Sequence, residues 1–301
     1  MQTASRQTVY TEHSRFNKPT ITVKPGETFQ VDTELCSGQW LQSLEDQFDP
    51  NHPDAFGPNP TVVIEVEGAA PGDSLAVKIL GIDVESIGYT GFIDPSNALA
   101  KLILNRDWGQ AARTVAIENG EVIWNDQLRL PVRPMIGTLG TAPAREALLN
   151  SKGGPYGGNM DVQEVTIGST VYLPVAVPGA LLHVGDVHAI QGDGEINRGG
   201  GIECRSRVTL QVTLVTRPER TETIRLENDD YIMAIACERS LEESFHMAAR
   251  EVLCWMVDEY GFTEVDAYLL MGQVLEARCT QFVNPTRSYI CKIPKKVLSA
   301  K

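Results

Sequence analysis

The sequence predicts a β-rich α+β fold, and three observations carry that prediction. Short runs of β-branched and other apolar residues, alternating or continuous, recur from the first residues to the last. Pro-Gly and Asn-Gly turn signals punctuate them. Helical periodicity enters only late, between Ser240 and about Ala277. Sheets should therefore carry most of the core, with a helical pair packed on one side.

Taken in order, Ile21-Thr22-Val23 and Thr28-Phe29-Gln30-Val31 flank Lys24-Pro25-Gly26-Glu27 and read as a first hairpin. The same turn chemistry at Pro71-Gly72, between apolar runs at 62–66 and 75–80, predicts a second. It recurs at Pro178-Gly179, ahead of the apolar run Ala180-Leu181-Leu182-His183-Val184. Residues 36–60, with Trp40, His52 and Pro50-Asn51-His52-Pro53-Asp54, read as a long surface loop or lid. Asn119-Gly120 between 114–117 and 121–124 predicts a tight hairpin. Residues 131–143, holding Pro131, Pro134, Gly137, Gly140 and Pro143, and the glycine-rich 151–159 are expected to be irregular backbone lining a site. Strand patterning returns at 207–216 and 230–237.

Ser240 and Glu243 form a capping-box pattern, after which Phe245, Ala249, Val252, Leu253, Met256, Val257 and Tyr260 recur at helical spacing until Gly261. Thr263 with Asp266 starts a second helix reaching about Ala277, with Leu269, Val274 and Leu275 turned inward. Residues 279–283 and 289–293 return to strand. No clean linker interrupts the pattern, so 1–301 reads as one compact unit with subdomains.

Composition narrows the function classes. A net charge of −13 and the lack of any Lys/Arg cluster argue against nucleic acid, whose phosphates would be repelled. No run of eighteen apolar residues exists and the N-terminus lacks an apolar signal core, so no membrane span is expected and the cytoplasm is the expected location. Six scattered cysteines without a Cys-x-x-Cys pair read as reduced, mostly buried thiols.

The chemistry concentrates in Gly185-Asp186-Val187-His188-Ala189-Ile190-Gln191-Gly192-Asp193-Gly194-Glu195. Along extended backbone Asp186 and His188 point the same way, as do Asp193 and Glu195, so two polar pairs would face one space. A structural acidic turn is the competing reading, with the carboxylates capping backbone amides. The spacing is not that of an EF-hand, a phosphate loop or a dinucleotide fingerprint.

This run, followed by Ile202-Glu203, resembles the G-D-x-H-x-x-Q-G-D-G-E signature of the acetamidase/formamidase family. Gly157-Gly158-Asn159-Met160-Asp161 resembles the family's G-G-N-M-D, and Val66-Glu67-Gly68-Ala69-Ala70-Pro71-Gly72-Asp73 its V-E-G-A-x-P-G-D. The resemblance covers most of the chain and implies β-sandwich-like sheets and hydrolysis of a small aliphatic amide. Asn59-Pro60-Thr61-Val62-Val63 departs from the family's N-P-x-T-G-P-like wording, so a choice between formamide and acetamide does not carry over. Arg198-Gly199-Gly200-Gly201 is also glycine-heavier than the family pattern.

An amide hydrolase must activate water or a nucleophile, stabilise an oxyanion and protonate nitrogen. Ser151-Lys152-Gly153-Gly154 bears only a superficial likeness to a Ser-Ser-Lys amidase loop, and no cysteine sits in a context that signals an activated thiolate. Metal- or carboxylate-activated water remains, with Asp161, Asp186 and His188 as expected ligands of a divalent cation, Zn²⁺, Mn²⁺ or Ca²⁺. Glu195 and Asp193 are the expected acid/base groups, Gln191 and Asn159 the carboxamide-binding side chains, and Gly158 and Gly192 the oxyanion-facing amides. His183 reads as a core histidine, His246 as exposed, Asp32 and Gln39 as possible completions of the pocket, and Cys36 as packing. The glycines suggest a cramped pocket for a small amide, walled by residues 36–60, in a symmetric homo-oligomer, a dimer by expectation. The rival class is a non-catalytic, metal-containing binding or scaffold protein on the same fold.

Overall fold

The computed structural model describes the chain apart from residues 48, 50, 53–58, 93–97, 107–110, 198 and 299–301. Its architecture turns on the strand Leu182–His188, buried at every position. That strand lies antiparallel between Met135–Thr141 and Thr61–Val66, and its last two residues also pair with Cys204 and Glu203. Being covered on both faces, it needs the continuous apolar run the sequence shows rather than an alternating one. Around it the described strands join into a curled, mostly antiparallel sheet of 18 strands. The longest are Asp73–Phe92 and Glu203–Thr216, paired over most of their length with bulges near Cys204 and Thr209.

The β-rich α+β class is as the sequence predicts. The Asn-Gly hairpin forms, with Glu118 opposite Glu121. The two Pro-Gly hairpins do not. Ile21–Val23 pairs in parallel with Thr61–Val66, while Thr28–Thr33 pairs with Glu203–Thr216. Thr61–Val66 and Asp73–Phe92 likewise have different partners. The difference lies in the turns. Asn119 and Gly120 both have positive φ (52° and 78°), the geometry whose twist matches paired strands. In Lys24-Pro25-Gly26-Glu27, closed by Glu27 N–H to the Lys24 carbonyl at 3.0 Å, proline fixes a negative φ and only Gly26 is positive (86°). That type II turn splays its flanks, sending them to separate parts of the sheet.

Residues 131–143 are not irregular, because Met135–Thr141 is a wholly buried strand whose glycines make room for neighbouring groups. The glycine-rich stretch is likewise ordered as the short strands Gly153–Gly154 and Gly157–Asn159. Within 36–60 the described residues hold no helix or strand beyond those at its edge, and Trp40 stacks on His52 at 3.9 Å between ring centroids. Pro50, Pro53 and Asp54 of the expected lid, and Arg198, lie outside the described residues.

The late helices form as expected at their starts. Ser240 Oγ accepts from Glu243 N–H ahead of Leu241–Tyr260, and Gly261 (φ 69°) ends it. Thr263 caps Glu264–Val274, which stops short of Ala277 because a strand begins at Glu276. Leu269 is 62% exposed and not inward; Ala267 and Met271 take the buried face instead. Among the described residues, two further helices lie outside the expected pair, Ala98–Leu104 and Lys295–Leu298. Tyr231–Glu238 joins the two cores by its alternation. Met233, Ile235 and Cys237 enter the large β core, whereas Ile232, Ala234 and Ala236 meet Val252, Trp255 and Met256 of the helical layer.

Candidate active site

The strand Leu182–His188 ends in the site. Its ladder with Met135–Thr141 skips one pair, Gly137 opposite Asp186. There Asp186 takes a left-handed φ of 58°, and the Gly137 carbonyl turns to accept Met160 N–H (2.9 Å) and Asp161 N–H (3.2 Å). A Cβ on Gly137 would stand 2.5 Å from Asp161 Oδ1 and 2.6 Å from Asp186 Oδ2, so the missing side chain is the space both carboxylates occupy. Asp161 (φ 49°) and Glu195 (φ 43°) are also left-handed. Three non-glycine carboxylates in this region, each costing on the order of 1–3 kcal/mol, mark backbone held by its surroundings for a purpose other than stability.

Asp161, Asp186 and His188 offer ligand atoms within 4.8 Å of one another. His188, Glu195 and Glu203 form a second such group sharing the imidazole, and Cys36, Asp186 and Glu203 a third. All four carboxylates and His188 are buried, the most open being Glu195 at 7%. His188 Nδ1 lies 2.8 Å from Gln191 Oε1, an acceptor, so the proton sits on Nδ1. Nε2 is thereby turned to Glu203 Oε1 (3.2 Å) and Asp186 Oδ1 (3.4 Å). The other Asp186 oxygen accepts from Asn59 Nδ2 (2.7 Å) and Thr138 Oγ1 (3.1 Å). Asn284 Nδ2 donates to Asp161 Oδ2. The Asn159 amide satisfies both its ends when Nδ2 faces Asp186 (2.6 Å) and Asp161 (3.3 Å) and Oδ1 accepts from Asn284 (2.9 Å).

Charge is far out of balance in this space. Burial, reinforced by Asp186, raises the Asp161 carboxyl to about 7. Burial raises Glu203 to about 8, and burial together with Asp161 lifts Glu195 well above the carboxylate range. Burial alone would lower His188, but Glu203 and Asp186 outweigh it and raise it well above 6.5. Burial would likewise raise Asp186, but the charge of His188 and bonds from His188 and Thr138 hold it low. One imidazole therefore faces four buried carboxylates. Glu195 Oε2 and Glu203 Oε2 are buried without a hydrogen-bond partner. Burial keeps these carboxyls protonated, and a cation would let them ionise and would take up the orphaned oxygens, each of which costs roughly 1–3 kcal/mol or more when left unpaired.

The site opens through Glu195 and Gln191 to a cleft of about 290 Å³, lined also by Thr90, Trp124, Leu130 and Ile190. Asn159 and Gly158 lie on the inner side, Gly158 in the strand pair with Leu139. Gly192 stands exposed on the cleft wall. Asp193 is apart from the cluster: its side chain is 65% exposed and its Oδ1 accepts from Arg278 Nε at 2.8 Å. Gln191 has both amide ends engaged inside the protein, Oε1 with His188 and Nε2 with the Asp161 and Thr280 carbonyls (3.0 and 3.2 Å). His183 is a core histidine, as expected, and His246 is exposed. Asp32 lies outside the site in an ion pair with Arg207 (2.7 Å), and the Gln39 carbonyl accepts from Arg205 (2.7 Å).

Sequence reasoning did not assign Glu203, Asn59, Thr138, Asn284, Gly137 or Cys36 to the site. Glu203 trailed the signature and Asn59 opened the segment that departs from it, so both carried a signal. Asn284 and Thr138 carried none, because each reaches the cluster only through tertiary pairing.

Fold and cluster together define the class, a β-rich protein with an acid- and histidine-built site enclosed in its interior. Among known proteins, the chain matches the Acetamidase/Formamidase family over residues 2–154 and 151–300. An acetamidase of Mycolicibacterium smegmatis is 27% identical over a 337-residue alignment covering 83% of this chain and 82% of that protein. A Schizosaccharomyces pombe protein named as a formamidase is 28% identical over 207 residues, and the match spans only 50% of its length. The crystal structure of a recombinant predicted acetamidase/formamidase from Thermoanaerobacter tengcongensis superposes with a TM-score of 0.89 at 31% identity, covering 99% of this chain and 97% of that one. That of an acetamidase from Bacillus halodurans gives 0.88 at 30% identity, covering 99% and 100%. The chain belongs to the acetamidase/formamidase family. No helix among the described residues is long and apolar enough to cross a membrane.

Proposed function

We propose that the protein hydrolyses a small linear amide to its carboxylate and ammonia at the Asp161–Asp186–His188–Glu195–Glu203 cluster. The observation that carries this reading is the pair of orphaned buried oxygens on Glu195 and Glu203, set around His188 at the inner end of a cleft. In this reading Asp161, Asp186 and His188 hold a divalent cation. Bound there, the cation supplies positive charge that polarises a carbonyl and acidifies water.

The chain's own residues do the rest. Gln191 holds one His188 proton on Nδ1, so that Nε2 would give up the other and offer its lone pair when a cation binds. Asn59, Thr138 and Asn159 hold Asp186, and Asn284 holds Asp161. Glu195 sits between the cluster and the cleft, with its carboxyl pKa raised by burial. With a bound cation offsetting its neighbours it would be ionised, and it would take the proton released as water adds to the amide carbon. It would then deliver that proton to nitrogen as the C–N bond breaks, so that water and amide balance to acid and ammonia. Asp193, held by Arg278, acts by fixing the loop that carries Glu195. At about 290 Å³ the cleft lies at the low end of the roughly 300–1,000 Å³ of small-molecule sites and has room for an amide of a few carbons. A homodimer in the cytoplasm completes the reading.

Ammonia release from formamide, acetamide, propionamide, benzamide and a dipeptide amide tests it. The expected profile has kcat/KM highest for the short aliphatic amides; no release from any of them would leave a binding or scaffold protein. Glu195→Gln keeps shape but accepts no proton at neutral pH, so it should retain fold and lose about 10²–10⁴ in kcat. Full turnover in that variant would return Glu195 to a structural role.

A further inference from the structure

Cys36 was expected to be packing. Its Sγ instead lies with Asp186 and Glu203 in a group whose ligand atoms are all within 4.8 Å of one another. The thiol donates to Asn59 Oδ1 at 2.7 Å, and Asn59 Nδ2 donates to Asp186 Oδ2, also at 2.7 Å. The backbone around Cys36 is anchored as well, since the buried Tyr89 hydroxyl donates to the Cys36 carbonyl. Glu203 is 97% buried by its 3% exposure, touches His188 through Oε1 and has no partner for Oε2. A soft sulfur, two hard carboxylates and an orphaned oxygen thus converge on one point beside His188.

We infer that Cys36 is a thiolate ligand of the cation held at this cluster, with Asp186 and Glu203, and that it biases the site towards zinc over calcium and manganese. The inference rests on the cation reading given above. A thiolate donor beside the carboxylates of Asp186 and Glu203 suits zinc, whereas an all-oxygen set suits calcium or manganese. Binding breaks the Cys36 S–H bond, the proton leaves to solvent and a metal–sulfur bond forms, so loading releases one proton more than a carboxylate set would. Asn59, relieved of the S–H donor, keeps its Nδ2 bond to Asp186. Among the described cysteines, Cys36 alone is grouped with carboxylates in this way, so sulfur chemistry reports on this position.

Cobalt(II) substitution tests the inference without reference to turnover. Full-length protein, stripped with chelator and titrated with Co²⁺, should show both the visible d–d bands of bound cobalt and a sulfur-to-cobalt charge-transfer band in the near ultraviolet. Cys36→Ser should lose the charge-transfer band and keep the d–d bands. Competition should then show zinc affinity lowered by about 10- to 100-fold, with manganese and calcium affinity changed much less. Cobalt bound to wild-type protein without a charge-transfer band, or with a band that survives Cys36→Ser, overturns the assignment of Cys36 while leaving the cation site standing. Failure of Co²⁺, Zn²⁺, Mn²⁺ and Ca²⁺ all to bind the wild-type chain overturns the cation reading itself, and this inference with it.

Discussion

His183 and His188 lie five positions apart on the same buried strand, and the fold treats them in opposite ways. His183 is surrounded by neutral groups. Its Nδ1 donates to the Leu181 carbonyl (2.8 Å), its Nε2 accepts from Asn17 Nδ2 (3.0 Å), and its ring stacks on His13 at 4.4 Å. His13 in turn bonds Asn150 Oδ1 at 2.7 Å. Burial therefore dominates, and the His183 pKa is pushed down to about 4. At the other end burial is as complete, yet Glu203 and Asp186 overturn it and push His188 up. The lesson is that burial does not set the charge of a histidine; the sign of its neighbours does. The two ends are also joined, since Asn150 Nδ2 donates to the Asn59 carbonyl (2.6 Å), seating the residue that bonds Asp186.

The largest expected contrast comes from making the same change at both ends. His188→Asn should cut kcat/KM by at least about 100-fold, through loss of metal affinity or activity. His183→Asn removes a partner from Asn17 in the core and should cost about 1–3 kcal/mol in stability, with kcat/KM within a few-fold of the parent. Equal loss of activity in both variants would dissolve the distinction and make His183 part of the site.

Next in size is the pH effect that His183 itself contributes. Unfolded, the imidazole takes up a proton near 6.5; folded, it stays neutral until about 4. The unfolded state therefore binds more protons across that window, so stability rises with pH there and is lost on acidification from about 6.5 to 4. At about 1.4 kcal/mol per pKa unit this is roughly 3 kcal/mol, with His13 shifted in the same direction. The difference in urea unfolding free energy between the parent and His183→Asn should grow from pH 4 to 7, which isolates His183 from Asp161, Glu195 and Glu203, whose raised carboxyl pKa values act with the opposite sign. A difference that stays constant would show that His183 does not stay neutral on folding.

How far the two ends could be read from sequence differs for a physical reason. Asp186, His188 and Glu195 stand within one short run, and a local pattern reveals them; Asp161 was recoverable from a second motif. Glu203 and Asn59 stood beside recognised segments, but what brings them to the site is a strand pair with His188 and a loop; Thr138 and Asn284 reach it only through tertiary pairing, so nothing local announces them. The class of fold was legible because period-2 patterning and late helical spacing are local. Pairing was not: Pro-Gly and Asn-Gly both signal turns, and only φ at the residue before glycine decides whether the flanking strands meet. The glycines of Met135–Thr141 misled for the same reason, since a residue that breaks a pattern can equally be one that clears space for a neighbour.

The smallest contrast compares two glycines of the site, and it separates room from flexibility. Gly137 is hemmed by Asp161, Asp186 and the Asp186 carbonyl, the last 2.8 Å from where a Cβ would stand. Gly137→Ala must therefore displace a carboxylate or the strand, costing about 1–3 kcal/mol and moving the ligands with it. Gly192 has nothing within 4 Å of a Cβ and no left-handed φ. Gly192→Ala should stay within about 0.5 kcal/mol of the parent. It also leaves the Gly192 N–H in place, so an oxyanion contact made by that amide would survive and kcat should hardly change. Loss of turnover in Gly192→Ala without loss of stability would mean that substrate passes so close to this wall that a methyl group blocks it. Gly192→Val, a larger obstruction at the same point, should then exclude propionamide before formamide.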